Sequence, residues 1–169
     1  MITLGMLRDT GYLVTHLETN KMKIATQSDI DLFLNESYLN ENIYPYLTTC
    51  KYMSEWKEFK TDWEGINITD ERLSYLGRII FDRNRGEIEM NVSLFCKNSL
   101  AAGKAIQAIK YLINRYRPKA INSAVHATNI KSLKLHKHIY GEPWGIEPKI
   151  AWDSKEGRFV DLYYFRKLF

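Results

Sequence analysis

The stretch Phe95-Cys96-Lys97-Asn98-Ser99-Leu100-Ala101-Ala102-Gly103-Lys104-Ala105 has the residue types of an anion site. A strand ends, a short polar turn follows, and a helix opens on small side chains. Helix N-termini leave backbone N–H groups unpaired and carry positive partial charge. With Ala101, Ala102, Gly103 and Ala105 in the first turns, nothing bulky keeps a phosphate from those amides. Lys97 and Lys104 add charge. The same small residues would equally let the helix pack closely on a sheet, and sequence alone leaves both readings open.

The strand before this junction is the clearest in the chain. Ile88, Met90, Val92 and Leu94 alternate strictly with Glu87, Glu89, Asn91 and Ser93, the period-two pattern of a two-faced strand. Its polar row either lines a wet cleft or faces open solvent. Other chemistries lack their signatures: there is no GxSxG, HExxH or GxxxxGK(S/T). His16, His126, His136 and His138, with Cys50 and Cys96, form no metal-ligand spacing, so no metal is expected.

The elements that position these residues follow from periodicity and caps. Residues 1–17 suggest an initial hairpin turning near Asp9-Thr10-Gly11, an extension (1–19) of a single domain spanning 1–169. Lys21 to Thr26 reads as a short strand, followed by a helix capped by Ser28 and running to about Leu39. Residues 40–66 are aromatic-rich and give no clear period, with a short helix conceivable at 51–59. Arg72 to Phe81 reads as a strand, turning at residues 82–86, where Gly86 is free to take positive φ. A long helix follows Asn98 and Ser99, with Ala102, Ala105, Ile106, Ile109, Leu112, Ile113 and Tyr116 on its apolar face and Pro118 as its stop. Lys119 to Thr128 forms the next strand. Asn129 caps a second helix that Gly141 ends. Strands near Lys149–Trp152 and Phe159–Arg166 close the chain around a turn at 154–157. A helix between two strands implies a parallel pair with a right-handed crossover. The expected product is α/β: a central mixed sheet with helices on both faces.

Length and composition bound the rest. At 169 residues, 45% hydrophobic and 26% charged, the chain suits one globular domain and no disordered class. No apolar run approaches the ~20 residues that span a bilayer. No signal peptide is evident and the two cysteines form no CxxC, so a reducing cytoplasmic setting is the expectation. The net charge of +4 hides an asymmetry. Residues 90–141 hold nine Lys and Arg and no Asp or Glu; the rest, with fifteen basic and twenty acidic residues, carries −5. Such a split favours an anionic partner, or merely solvates two helices. No recognition-helix or aromatic-basic RNA motif accompanies it, which argues against a nucleic-acid partner.

In this order and spacing the chain resembles the GNAT superfamily of acyl-CoA-dependent N-acyltransferases. That family has a (Gln/Arg)-x-x-Gly-x-(Gly/Ala) stretch opening the helix after its fourth strand. Here Leu100-Ala101-Ala102-Gly103-Lys104-Ala105 matches at Gly103 and Ala105, with Leu100 in place of Gln or Arg. Asn129, Ser132 and Gly141 fit a second family pattern, with His136 where Tyr is usual. Phe159 to Phe165 is similar to the family's last strand, and Ala25 to Asp29 to its entry into the first helix. The resemblance covers residues 20–169.

It implies acetyl-CoA or another acyl-CoA as cofactor, held by Leu100, Ala101, Ala102, Gly103, Lys104, Ala105, Asn129 and Ser132. Backbone amides near Leu94 and Phe95 would polarise the thioester carbonyl. It also implies an amine acceptor, small molecule or protein, in a site shaped by the segment holding Tyr44, Tyr46, Tyr52, Trp56 and Trp63. Glu87 or Glu89 would act as base and His136 as acid, unless His136 is a surface residue beside Lys137 and His138. The departures at 100 and 136 also suit a catalytically inactive GNAT-fold protein, a structural or interaction module such as a phage virion internal core component docked on a protein partner.

Overall fold

A computed structural model describes residues 22–37, 40, 43, 46, 65–84 and 87–169. Strands are β1 (Met22–Ile24), β2 (Gly65–Asp70), β3 (Tyr75–Asn84), β4 (Glu87–Cys96), β5 (Ala120–His126), β6 (Gly145–Asp153) and β7 (Arg158–Leu168). Helices are α1 (Gln27–Ser37), α2 (Ser99–Tyr116) and α3 (Ile130–Tyr140). The strands form one sheet in the order β1-β2-β3-β4-β5-β7-β6. All neighbours are antiparallel except β4 and β5, which the α2 crossover makes parallel. The mixed α/β architecture expected from the sequence is the one observed.

Strand parity assigns the faces. Tyr75 and Ile79 of β3, Met90 and Val92 of β4 and Ile121 of β5 pack with Ala101, Ala105, Ala108, Ile109 and Leu112 of α2. This first face also receives α3, because His136 reaches Ser123 and Phe165. On the second face Leu76 of β3 and Phe95 of β4 pack with Ile30 and Phe33 of α1. Glu87, Glu89, Asn91 and Ser93 of β4 therefore lie on the second face. Gly77 is required where β2, β3 and β4 meet: a Cβ there would come within 2.9 Å of both Ile68 and Leu94.

Several boundaries differ from the sequence expectation. The cap of α1 is Thr26 rather than Ser28: its hydroxyl accepts from the Asp29 amide, and Asp29 accepts from the Thr26 amide, a reciprocal capping box. β2 lies in a stretch that gave no signal, since Asn67, Thr69 and Asp70 are buried polar residues in a six-residue strand. β3 starts at Tyr75 rather than Arg72, because Asp70 turns the chain. Its carboxylate accepts from the Ser74 amide and hydroxyl, and Leu73 takes a left-handed φ of 48°. β6 starts at Gly145, four residues early. An irregularity between Glu147 and Ala151, with Lys149 at φ 50°, breaks the alternation that would have revealed it. The expected N-terminal hairpin, the 51–59 helix and turn residues 85–86 lie outside the described residues.

Candidate active site

β4 and β5 pair over only three rungs, Glu89–Ala120, Met90–Ile121 and Asn91–Asn122. Beyond them β4 continues to Cys96 paired with β3, and β5 continues to His126 paired with β7. The two parallel strands thus part at Asn91 and Asn122 while each keeps its outer neighbour. The result is a cleft in the sheet bounded by residues 92–96 and 123–126.

Each strand leads straight into a helix at this open end, and the two helix starts are built alike. The Asn98 side chain accepts from the Ala101 amide at 2.9 Å, and Asn129 accepts from the Ser132 amide at 3.1 Å. At the α2 start the Ala102 amide is taken by the Asn98 carbonyl. Among the described residues nothing accepts from the Ser99 and Leu100 amides, and Leu100 is itself exposed. The small residues divide into two groups. Ala101 and Ala105 are buried against the sheet, so packing explains them. Gly103 is exposed, and a Cβ there would meet nothing within 4 Å. Packing does not require that glycine.

The two lysines of the junction are not free charges. Lys104 binds Asp70 at 2.8 Å, and Lys97 binds Glu36 while lying over the Phe33 ring. Burial pushes the Asp70 carboxyl up, but the Lys104 ammonium and the Ser74 donors outweigh it and hold the group below its ordinary value. Much of the basic surplus of residues 90–141 is met the same way, since Lys119 pairs with Glu87 and Lys137 with Glu142.

The expected acid and base residues separate. Glu87 lies at the opposite end of β4 from the cleft, seven residues or roughly 24 Å before Leu94. There it binds Lys119 and lines a cavity with Arg117 and Pro118. Glu89 is buried on the second face, where one oxygen accepts from Arg166 at 2.8 Å and the other from Asn122 at 3.2 Å. The open solvent-facing strand considered from sequence does not hold for Glu89. His136 is no surface histidine. Its Nδ1 donates to the Ser132 carbonyl at 2.8 Å, its Nε2 lies 3.0 Å from the Ser123 hydroxyl, and the ring stacks on Tyr140. Burial lowers its pKa, against a smaller opposing effect of the Ser132 carbonyl. Cys96, at the cleft, has its thiol pushed up to about 12 by burial, which suits an inert core residue rather than a nucleophile.

His126 was counted in the sequence only among potential metal ligands. It ends β5 at the cleft, 6% exposed, and its Nδ1 is buried without a partner. The Tyr46 ring meets it edge-on at 5.7 Å. Asp153, also buried, lies close enough to raise its pKa against the larger lowering by burial. A histidine one residue past the last apolar position of a strand, just before a capped helix, was the available sequence signal. Among the described residues no cluster of metal-ligating side chains exists, and no helix is long and apolar enough to cross a membrane.

Neither any protein-family model nor any curated protein sequence matches the chain. Solved structures do. A ribosomal-protein-alanine N-acetyltransferase from Brucella melitensis is 17% identical over 88% of this chain and 99% of its own, with a TM-score of 0.59. A GCN5-related N-acetyltransferase from Kribbella flavida gives 17% identity, 88% and 96% coverage and a TM-score of 0.61. Arabidopsis thaliana NAA60 in complex with acetyl-CoA gives 13%, 87% and 97%, and 0.60. The three-rung parallel junction, the two capped helices at its open end and these likenesses agree: this chain has the GNAT N-acetyltransferase fold.

Proposed function

We propose that this protein is an acyl-CoA-dependent N-acyltransferase of the GNAT superfamily, moving an acetyl or other acyl group to an amine. The observation that carries the reading is the parting of β4 and β5 at Asn91 and Asn122, with a helix N-terminus on either side. Where two strands part, backbone amides and carbonyls that would have paired across the sheet become available to a ligand or to solvent. Neighbours of this fold, among them the acetyl-CoA complex, support a thioester ligand there.

Gly103 fits the cofactor, because the space a Cβ would fill is open. The Ser99 and Leu100 amides and the positive end of α2 would face its phosphates. Asn129 and Ser132 hold the start of α3 on the other side. The bound acyl-CoA would supply an activated thioester carbonyl. Amides near Leu94 and Phe95 would polarise that carbonyl, and charge developing on its oxygen is stabilised most by fixed donors in a water-poor site. Cys96 takes no covalent part, since a thiol raised to about 12 is protonated at neutral pH. The acyl group therefore passes directly to the amine. Glu89 and His136 position the sheet and α3, because every polar atom of each is engaged within the protein.

The test is incubation with acetyl-CoA and a panel of amines, from polyamines to peptide N-termini, with free thiol and acylated product followed together. Acylated product matched by thiol supports the reading. Absence of both, with no acetyl-CoA binding, favours the non-catalytic interaction module. A capped α2 start and lysines already paired to Asp70 and Glu36 are the features that favour that second reading.

A further inference from the structure

We propose that His126 is the proton acceptor for the incoming amine, a role that rests on the acyltransferase reading above. Four observations converge on it. His126 is placed where β5 has parted from β4, on the face that carries α1 and Tyr46. Its Nδ1 is buried without a partner, and an unmet buried polar atom is costly unless a ligand meets it. The other titratable candidates are engaged or misplaced: Glu87 at the far end of β4, Glu89 with both oxygens bound, His136 with both nitrogens bound. Asp153 stands ready to stabilise the imidazolium. Its own carboxylate is fixed by the Lys155 and Glu156 amides and the Thr128 hydroxyl.

The chemistry balances without a further reagent. The acceptor enters as an ammonium group, and one of its N–H bonds breaks as the proton moves to His126. The freed lone pair forms the new N–C bond to the thioester carbonyl carbon, and the C–S bond breaks. Sulfur takes a second proton from the same nitrogen and leaves as the thiol. The imidazolium then returns its proton to solvent, leaving His126 neutral for the next turnover. Tyr46 contacts the ring edge-on in the free protein, so the amine reaches the imidazole by displacing it. The titratable groups near His126 are Asp153 of β6 and Tyr46, whose ring meets the imidazole edge-on, and Tyr46 in turn feels Asp153 and Glu156 of the β6–β7 turn. Burial keeps the imidazole neutral at neutral pH, the form a base needs.

The experiment compares wild type and His126→Gln in three measurements: acetyl-CoA affinity, transfer to amines against pH, and the ring titration of His126 by NMR in the free protein. The expected result is acetyl-CoA affinity unchanged within twofold in the variant and transfer reduced by about 10²–10⁴-fold, the range for a lost general base. The acid limb of kcat/KM in the wild type should fall at the pKa that NMR assigns to His126, and it should vanish in the variant. Transfer within threefold of wild type, or an acid limb more than one pH unit from the His126 titration, overturns the assignment while leaving the acyltransferase reading intact. Failure of the wild type both to bind acetyl-CoA and to acylate any amine overturns the two together. The NMR comparison uses the wild type alone, so it decides the matter even if the variant does not fold.

Discussion

Asn91 of β4 and Asn122 of β5 face each other across the last paired rung of the parallel junction, and past them the strands diverge. Everything proposed for this protein turns on that rung. Below it the second face is closed by side chains, with Asn122 and Arg166 both binding Glu89. Above it lie the cleft, the two helix starts and His126. The Glu89 cluster thus acts as a clasp that holds β4, β5 and β7 together just where they begin to separate.

That clasp predicts a stability cost. Arg166→Met takes the guanidinium from the buried Glu89 carboxylate, and removing one partner of a charged hydrogen bond costs about 1–3 kcal/mol. Chemical denaturation should show this loss. A double variant with Glu89→Gln should recover part of it, because the stranded charge is gone.

Gly103 separates packing from binding. It lies on the exposed side of a helix with open space around it. Gly103→Ala should stabilise the protein by up to about 1 kcal/mol, through helix propensity alone. Gly103→Glu should fold equally well, since a negative charge near a helix N-terminus is favourable. It should nonetheless lose acetyl-CoA affinity, because bulk and negative charge then meet the phosphates. Thermal melts with and without ligand measure both effects.

Asp70 and Lys104 predict acid sensitivity of a definite sign. The folded Asp70 carboxyl titrates below its unfolded value of 3.8. Its contribution is therefore fully present above about that pH, and it is lost as pH falls through the lower folded value. Asp70→Asn should flatten the stability profile below pH 4 and lower stability at pH 7.

His126 and His136 act in the opposite chemical sense but with the same slope. Burial lowers both below the ordinary histidine value of 6.5, so the unfolded chain binds more protons once pH drops under that value. Stability present above about pH 6.5 should decline as pH falls toward the folded values. His136→Gln should remove part of this decline and lower the melting temperature, through loss of the Ser123 contact and the Tyr140 stack. Acetyl-CoA affinity should stay near the wild-type value.

What was legible in the sequence was local. The alternation of Ile88 to Leu94, the Asn98 and Asn129 caps and the Gly141 stop each declare themselves within a few residues, and all appear in the structure. β2 did not, because its alternation covers only Ile66-Asn67-Ile68-Thr69 and its polar members are buried as deeply as its apolar ones. The partners that reassign Glu89 and Lys104 lie 77 and 34 residues away, and no periodicity encodes such pairs. His136 looked like a surface residue because Lys137 and His138 follow it. Its real face is set by the four-residue spacing to Ser132 and Tyr140. His126 carried only the weak signal of its place at a strand end, because its meaning depends on β5 parting from β4, a property of two strands and not of one.

The most direct test of the central claim is a calorimetric titration of the purified protein with acetyl-CoA, repeated with Gly103→Glu. Binding in the micromolar range by the wild type, lost in the variant while its fold is intact, is the predicted result. No heat from the wild type at millimolar acetyl-CoA would contradict the acyltransferase reading, and equal binding by the two proteins would contradict the cofactor site at the start of α2.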